Sequence, residues 1–203
     1  MKLGPKYKIC RRVGDRVFGK CQTTKFTVSG TAKKRIGKRP KGAPSEYSLQ
    51  LTEKQKARFT YGLSEKQFSN YVSKVRSGKV ENPTLSLYKL LESRLDNVIF
   101  RMGLASTRLA ARQMVAHGHI VVNGVKVRIP SYQVKKGDVI KIRPGSRESA
   151  LFQELGEKMK NYSLPDWVSF DTEKNEGSVR GEPTLGKSEA NIDFGSILEF
   201  YSR

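Results

Sequence analysis

His117-Gly118-His119-Ile120-Val121-Val122-Asn123-Gly124-Val125-Lys126-Val127-Arg128 contains the change of period on which the fold turns. Here the apolar residues fall into short β-branched runs on either side of Asn-Gly, the strongest short-range hairpin signal. In the returning strand the valines take one face and Lys126 and Arg128 the other, because strand side chains alternate. Pro130 and Tyr132 open a loop, Lys136-Gly137-Asp138 turns, and Val139-Ile140-Lys141-Ile142-Arg143 supplies a third alternating strand. Lys141 and Arg143 share its polar face.

Upstream the period is helical. Ser106 is a good N-cap for a helix from Thr107 to about His117, with Gly118 at its C′ position. Arg108 and Arg112, four apart, share one side of it. Before that, Leu87, Leu90, Leu91, Leu95 and Val98 mark a helix that Gly103 ends, with Arg94 and Arg101 seven apart on its exposed side. Asp96, between them, pairs with a neighbouring arginine. Residues 86–145 therefore read as a helix pair packed on a small twisted antiparallel sheet. Its cations, Arg94, Arg101, Arg108, Arg112, Lys126, Arg128, Lys141 and Arg143, form a surface suited to a phosphate groove. His117 and His119 have no carboxylate or cysteine nearby, so a helix cap or hydrogen bonds to nucleic acid fit them better than metal binding or acid–base chemistry.

Charge organises the rest of the 203 residues. The net charge is +20, with +13 in residues 1–44, +3 in 45–92, +8 in 93–145 and −4 in 146–203. Such an excess calls for a polyanion, nucleic acid ahead of an anionic membrane. The first 44 residues read as a basic arm that carries Arg11 and Arg12. Lys33, Lys34, Arg35, Lys38, Arg39 and Lys41 put six cations into nine of its residues. With no apolar stripe to offset the entropy of ordering, the arm is expected to order only on a phosphate backbone. Residues 7–28, where Val13, Val17, Phe18 and Phe26 fall, are where a core of scattered hydrophobes would overturn that expectation.

Residues 45–85 read as the first part of a helical domain. Thr52-Glu53-Lys54-Gln55 fits a capping box for a helix that Gly62 closes, and Ser64-Glu65-Lys66-Gln67 fits a second. Phe68, Tyr71, Val72 and Val75 then form an apolar stripe, while Lys54, Lys56 and Arg58 lie on the cationic side. In residues 146–203, Leu151, Phe152, Leu155 and Met159 mark another helix, and Trp167 is a core anchor in an extended segment. Ile192, Phe194, Ile197, Leu198, Phe200 and Tyr201 are too apolar for a loose end and are expected to dock on the helical domain.

Together, Leu90 through Val98, Arg101-Met102-Gly103, Thr107-Arg108, Ala111-Arg112-Gln113, His117 through Gly124 and Ile129 through Tyr132 resemble a known module. It is the small RNA-binding module first defined in the bacterial-type small ribosomal subunit protein number four. Leu3-Gly4-Pro5-Lys6, Cys10-Arg11-Arg12, Leu51 through Lys56, Glu65 through Phe68 and Glu199 through Arg203 extend the resemblance to that ribosomal family over nearly the whole chain. The resemblance implies an α+β fold in which the module is inserted into a largely helical domain built from both chain ends. It implies binding to the 5′ domain of small-subunit rRNA, at a multi-helix junction and early in assembly. It further implies contact with small-subunit protein number five, a position near the channel by which mRNA enters, and a part in decoding accuracy. Asn123 and Tyr132 join the cations already named as expected RNA contacts. The alternative function is a free RNA-binding regulator acting on its own or another messenger. Where many members carry Gly-Gln-His-Gly, this chain has Arg39 through Pro44, so the path of the arm is expected to differ.

Several classes are excluded. There is no phosphate-binding P-loop, dinucleotide-binding glycine motif or nucleophile elbow, and no enzyme is expected. No cofactor is expected either. Some members of the family carry four zinc-binding cysteines, whereas this chain has Cys10 and Cys21 alone, expected to be reduced thiols without metal. No run approaches the length of a membrane span and the N-terminus has no secretory h-region. The expected setting is the cytoplasm, bound to the small subunit, with no membrane partner and no homo-oligomer.

Overall fold

A computed structural model describes residues 3–23, 26, 44–78, 80–149, 151–153, 155–160, 162–184 and 192–202. It divides into two compact units, Met1–Leu87 with Gly186–Arg203, and Tyr88–Leu185. No helix among the described residues is long and apolar enough to cross a membrane.

The first unit is helical. α1 (Lys6–Val13) ends at Gly14, whose φ of 75° is the left-handed turn that glycine takes without strain. Ile9, Cys10 and Val13 are its buried side, and Cys10 packs with Cys21 and Phe26 under Val17 and Phe18. Part of the supposed arm thus has a core of its own and packs beside α2 (Glu46–Thr60). The buried cysteines contribute to it as small apolar residues. The run Lys33–Lys41 lies outside the described residues.

α2 starts at Ser45, whose Oγ accepts from Ser48 N, and not at the Thr52 box. Thr52 sits inside the helix and donates its hydroxyl to Ser48 O at 2.8 Å. The extra turns are held by the chain's other end. α8 (Phe194–Phe200) packs along α2, with the Tyr47 and Phe200 rings 5.4 Å apart and Gln50 Nε2 donating to Glu199 at 3.2 Å. α3 (Glu65–Ser77) begins at Ser64 with both halves of its capping box formed. Its buried residues are Phe68, Val72 and Val75.

The second unit begins within α4 (Pro83–Glu92) and continues into α5 (Leu95–Arg101) and α6 (Arg108–Ala116). The expected single helix is broken at Ser93–Arg94. Arg94 is extended and bridges Gln133, while Leu95 N donates to Tyr132 O at 2.9 Å and Val134 N to Ser93 O at 2.8 Å. The loop after the hairpin captures these backbone groups. α6 is capped by Thr107, one residue later than expected, with Ala110 N donating to its Oγ1.

β1 (Ile120–Val122), β2 (Val125–Lys126) and β3 (Val139–Ile142) are the expected antiparallel strands. Positive φ at both Asn123 (49°) and Gly124 (82°) makes the first hairpin a type I′ turn. The sheet does not stop there. β4 (Val168–Asp171) and β5 (Glu176–Val179) complete an antiparallel order β2-β1-β3-β5-β4, with Val139 opposite Ser178. Residues 146–185 therefore belong with the module, and only the last segment belongs with the helical unit. Gly177 is where the sheet meets α5: a Cβ there would come within 2.8 Å of Met102 Sδ. Leu95, Val98, Ile99, Met102, Ile120, Ile140 and Ile142 fill the core between helices and sheet, and Trp167 joins them. α7 (Leu155–Lys160) is shorter than the expected helix, although Phe152 still reaches this core.

Candidate nucleic-acid interface

Two buried carboxylates and one amide organise the four arginines of the helix pair. Glu92, fully buried, accepts from Arg101 Nε at 2.8 Å and Nη2 at 3.0 Å, and from Asn97 Nδ2 at 2.8 Å. Asn97 Oδ1 in turn accepts from Arg108 Nε at 2.6 Å, and the Arg108 guanidinium lies 4.5 Å from the Phe100 ring. Asp96 accepts from Arg94 Nε at 3.0 Å and Nη2 at 2.8 Å, and from Arg112 Nε at 2.7 Å. Arg94 is itself buried, a correction to its expected place on an exposed helix side. The break before α5 turns it inward, where it meets Asp96. Arg101, Arg108 and Arg112 stay partly exposed at the surface. Four guanidiniums against two carboxylates leave the network net cationic. Two-pronged bonds from Arg94 to Asp96 and from Arg101 to Glu92, with Nε bonds from Arg108 and Arg112, hold the guanidinium planes, as recognition of a phosphate oxygen pair requires.

A second cationic cluster surrounds Gly118. A Cβ at this glycine, which has a φ of 73°, would fall 2.4 Å from Lys126 Cε and 3.2 Å from Arg128 Nε, so both side chains lie across it. Ser146 Oγ accepts from Arg143 Nε at 3.2 Å and meets His119 Nδ1 at 2.9 Å. Desolvation and then the charges of Arg128 and Arg143 push the Lys126 ammonium below its ordinary pKa. Burial, followed by His117, Arg143 and Lys126, pushes the His119 imidazole down as well. Burial leads in both shifts, and among the charges that follow Arg143 acts on both groups.

Other predicted contacts have different surroundings. Lys141 is ion-paired to Glu176 across the sheet at 2.8 Å. Asn123 clamps its turn, donating to Asp138 at 2.8 Å and accepting from Val139 N at 2.9 Å. Tyr132 is exposed and its carbonyl holds the start of α5. In the helical unit, Lys54 is buried against Glu65 at 2.8 Å with its ammonium 4.3 Å from the Phe200 ring. Lys56 pairs with Asp15 at 3.1 Å, and Arg58 with Glu65 at 3.1 Å. Arg11 stacks over Phe26, and Arg12 is exposed. Lys33, Lys34, Arg35, Lys38 and Arg39 lie outside the described residues. Among the described residues no three His, Cys, Asp or Glu side chains come together as a metal site. Burial and the neighbouring Cys10 push the Cys21 thiol up to about 11. Sequence reasoning missed Glu92 and Asn97; the one signal was a carboxylate and an amide set among leucines that have to be buried.

By its match to a known family, the helix pair with its hairpin is an RNA-binding module of the S4 type. The S4 domain family matches residues 93–140, and the ribosomal protein S4/S9 N-terminal domain matches residues 2–92. Small ribosomal subunit protein uS4 of Ligilactobacillus salivarius is 43% identical over 213 residues, covering 98% of each chain. The uS4 proteins of Syntrophomonas wolfei and Chromobacterium violaceum are 44% and 42% identical, covering 96% and 99% of this chain and 95% and 98% of their own. The chain belongs to the uS4 family of small ribosomal subunit proteins, and is accordingly not an enzyme.

Proposed function

We propose that this chain binds small-subunit rRNA as a structural component of the particle and takes part in its assembly. The observation that carries the reading is the orientation of Arg101, Arg108 and Arg112 by buried Glu92, Asp96 and Asn97. A solvated charge patch needs no such buried frame, whereas a phosphate-binding surface gains from cations that are already aligned. The family resemblance supports the finer reading: a multi-helix junction in the 5′ domain, met early in assembly, with small-subunit protein uS5 as neighbour. It also supports a position by the channel through which mRNA enters, an influence on decoding accuracy, and a cytoplasmic, ribosome-bound monomer.

The test uses a transcript of the 5′ domain of small-subunit rRNA. Alanine at both Arg108 and Arg112 is expected to weaken binding and to lower the slope of log affinity against log salt by about two units. Lysine at both positions keeps the charge but loses the fork, so it is expected to retain most of the slope at reduced affinity. Unchanged affinity in the folded alanine variant refutes the assignment. In sucrose gradients the protein is expected to travel with the small subunit. A pool bound to messenger and absent from the subunit points instead to the free regulator.

A further inference from the structure

We propose that a small cavity on α6 receives a single unstacked nucleobase of the bound RNA. This rests on the RNA-binding reading above and deepens it. Ala110, Gln113, Met114 and His117 recur at i, i+3, i+4 and i+7, so they lie along one side of α6 and its C-terminal cap. With His119 and Leu151 they line a cavity of about 130 Å³. That is several times the roughly 30 Å³ share of one water, and well below the roughly 300 Å³ at which pockets for larger ligands begin. One planar heterocycle is the scale it admits.

The lining has the three parts a nucleotide needs. Ala110, Met114 and Leu151 give apolar walls for a ring face, and Leu151 is 49% exposed, a large aliphatic side chain at the mouth. Gln113, exposed on α6, supplies a donor and an acceptor on one amide, the complement of a base edge. His117 is exposed beside it, and His119, engaged at Nδ1 by Ser146, keeps Nε2 as its second polar atom. Lys126, Arg128 and Arg143 crowd the Gly118–His119 side, where the flanking phosphates of an extruded base would run. An acidic side chain from a protein has no use for the apolar walls, and an aliphatic one has no use for the cations. An RNA base with its own phosphates uses both. Bases within a duplex are stacked and paired, so the occupant comes from a loop, bulge or junction.

The experiment compares chemical reactivity of every base in the 5′-domain transcript, free and bound to the full-length chain. Wild type is expected to protect one unpaired base strongly. Ala110→Phe, which fills the cavity, is expected to leave that base reactive while keeping the salt slope. Leu151→Ala, at a half-exposed position outside the core, is expected to weaken the same protection several-fold. Making that nucleotide abasic is expected to cost wild type roughly tenfold in affinity and Ala110→Phe nothing further. The cavity proposal falls if both variants leave every protection unchanged while wild type binds with its normal salt slope. It falls also if the abasic RNA loses as much affinity with Ala110→Phe as with wild type. If wild type does not bind the transcript at all, the RNA-binding reading fails, and the cavity proposal with it.

Discussion

Asp96 faces two guanidiniums, Arg94 Nη2 at 2.8 Å and Arg112 Nη2 at 2.7 Å, with almost no water to share the charge. Burial makes such a carboxylate worth far more as a partner than as a contributor in isolation, because removing it strands a buried cation. Asp96→Asn is expected to destabilise the module by about 3–5 kcal/mol, read from the urea midpoint of the unfolding transition. Glu176→Gln removes the partner of Lys141 at a site where both side chains meet solvent. It is expected to cost less than about 1 kcal/mol. Equal losses in the two variants would mean that the buried arginine frame contributes no more to stability than a surface ion pair. The same frame limits what sequence can reveal at this scale. Arg101, Arg108 and Arg112 are legible as cations at helical spacing, but whether an arginine faces water or a buried acid depends on contacts that spacing does not encode. Arg94 shows it: a seven-residue interval places it beside Arg101 only if the helix is continuous.

Elements whose signals are local were legible, and those whose limits are set from a distance were not. α3 follows from Ser64 and Gln67, three residues apart, whose reciprocal bonds both form. The type I′ turn follows from Asn123-Gly124. By contrast, α2 owes its first turns to Glu199 and Phe200, and the break before α5 owes its geometry to carbonyls at Pro130 and Tyr132. β5 gave no alternating apolar pattern because Gly177 must leave room for Met102. Distance also governs how α3 and α8 respond to acid. Burial raises the Glu65 carboxyl, but hydrogen bonds from Lys54 and Tyr201, and the charges of Lys54 and Arg58, outweigh it and hold the pKa below the ordinary value. A depressed carboxylate contributes stability that is present above its unfolded pKa of about 4.3 and is lost as pH falls through the folded value. The helical unit is therefore expected to lose protection against amide exchange as the solution is acidified below about pH 4. Glu65→Gln is expected to flatten that dependence. An identical acid profile in the variant would remove Glu65 from the account.

At the scale of the whole molecule, the two units differ in how their chain is assembled. Tyr88–Leu185 is one continuous stretch, whereas the helical unit joins Met1–Leu87 to Gly186–Arg203. Deleting residues 192–203 removes Phe194 and Ile197 from the core and strips Lys54 and Glu65 of Phe200 and Tyr201. The truncated chain is expected to show fast amide exchange through α2 and α3 while the five-stranded sheet keeps its protection. Uniform loss across both would show that the units do not fold separately. The discontinuity also has a meaning in time. A ribosome making this protein releases α3, which ends at Ser77, long before α8, which begins at Phe194. At roughly 5–20 residues per second, the delay across those positions is about 6–23 seconds. By the end of that interval the sheet and its helices, complete once Val179 has been made, have everything they need to close, while Phe68 and the ammonium of Lys54 still wait for the aromatic rings that will cover them. The nascent chain is most open to chaperones and proteases in its first-made part, although that part is the earliest to leave the tunnel.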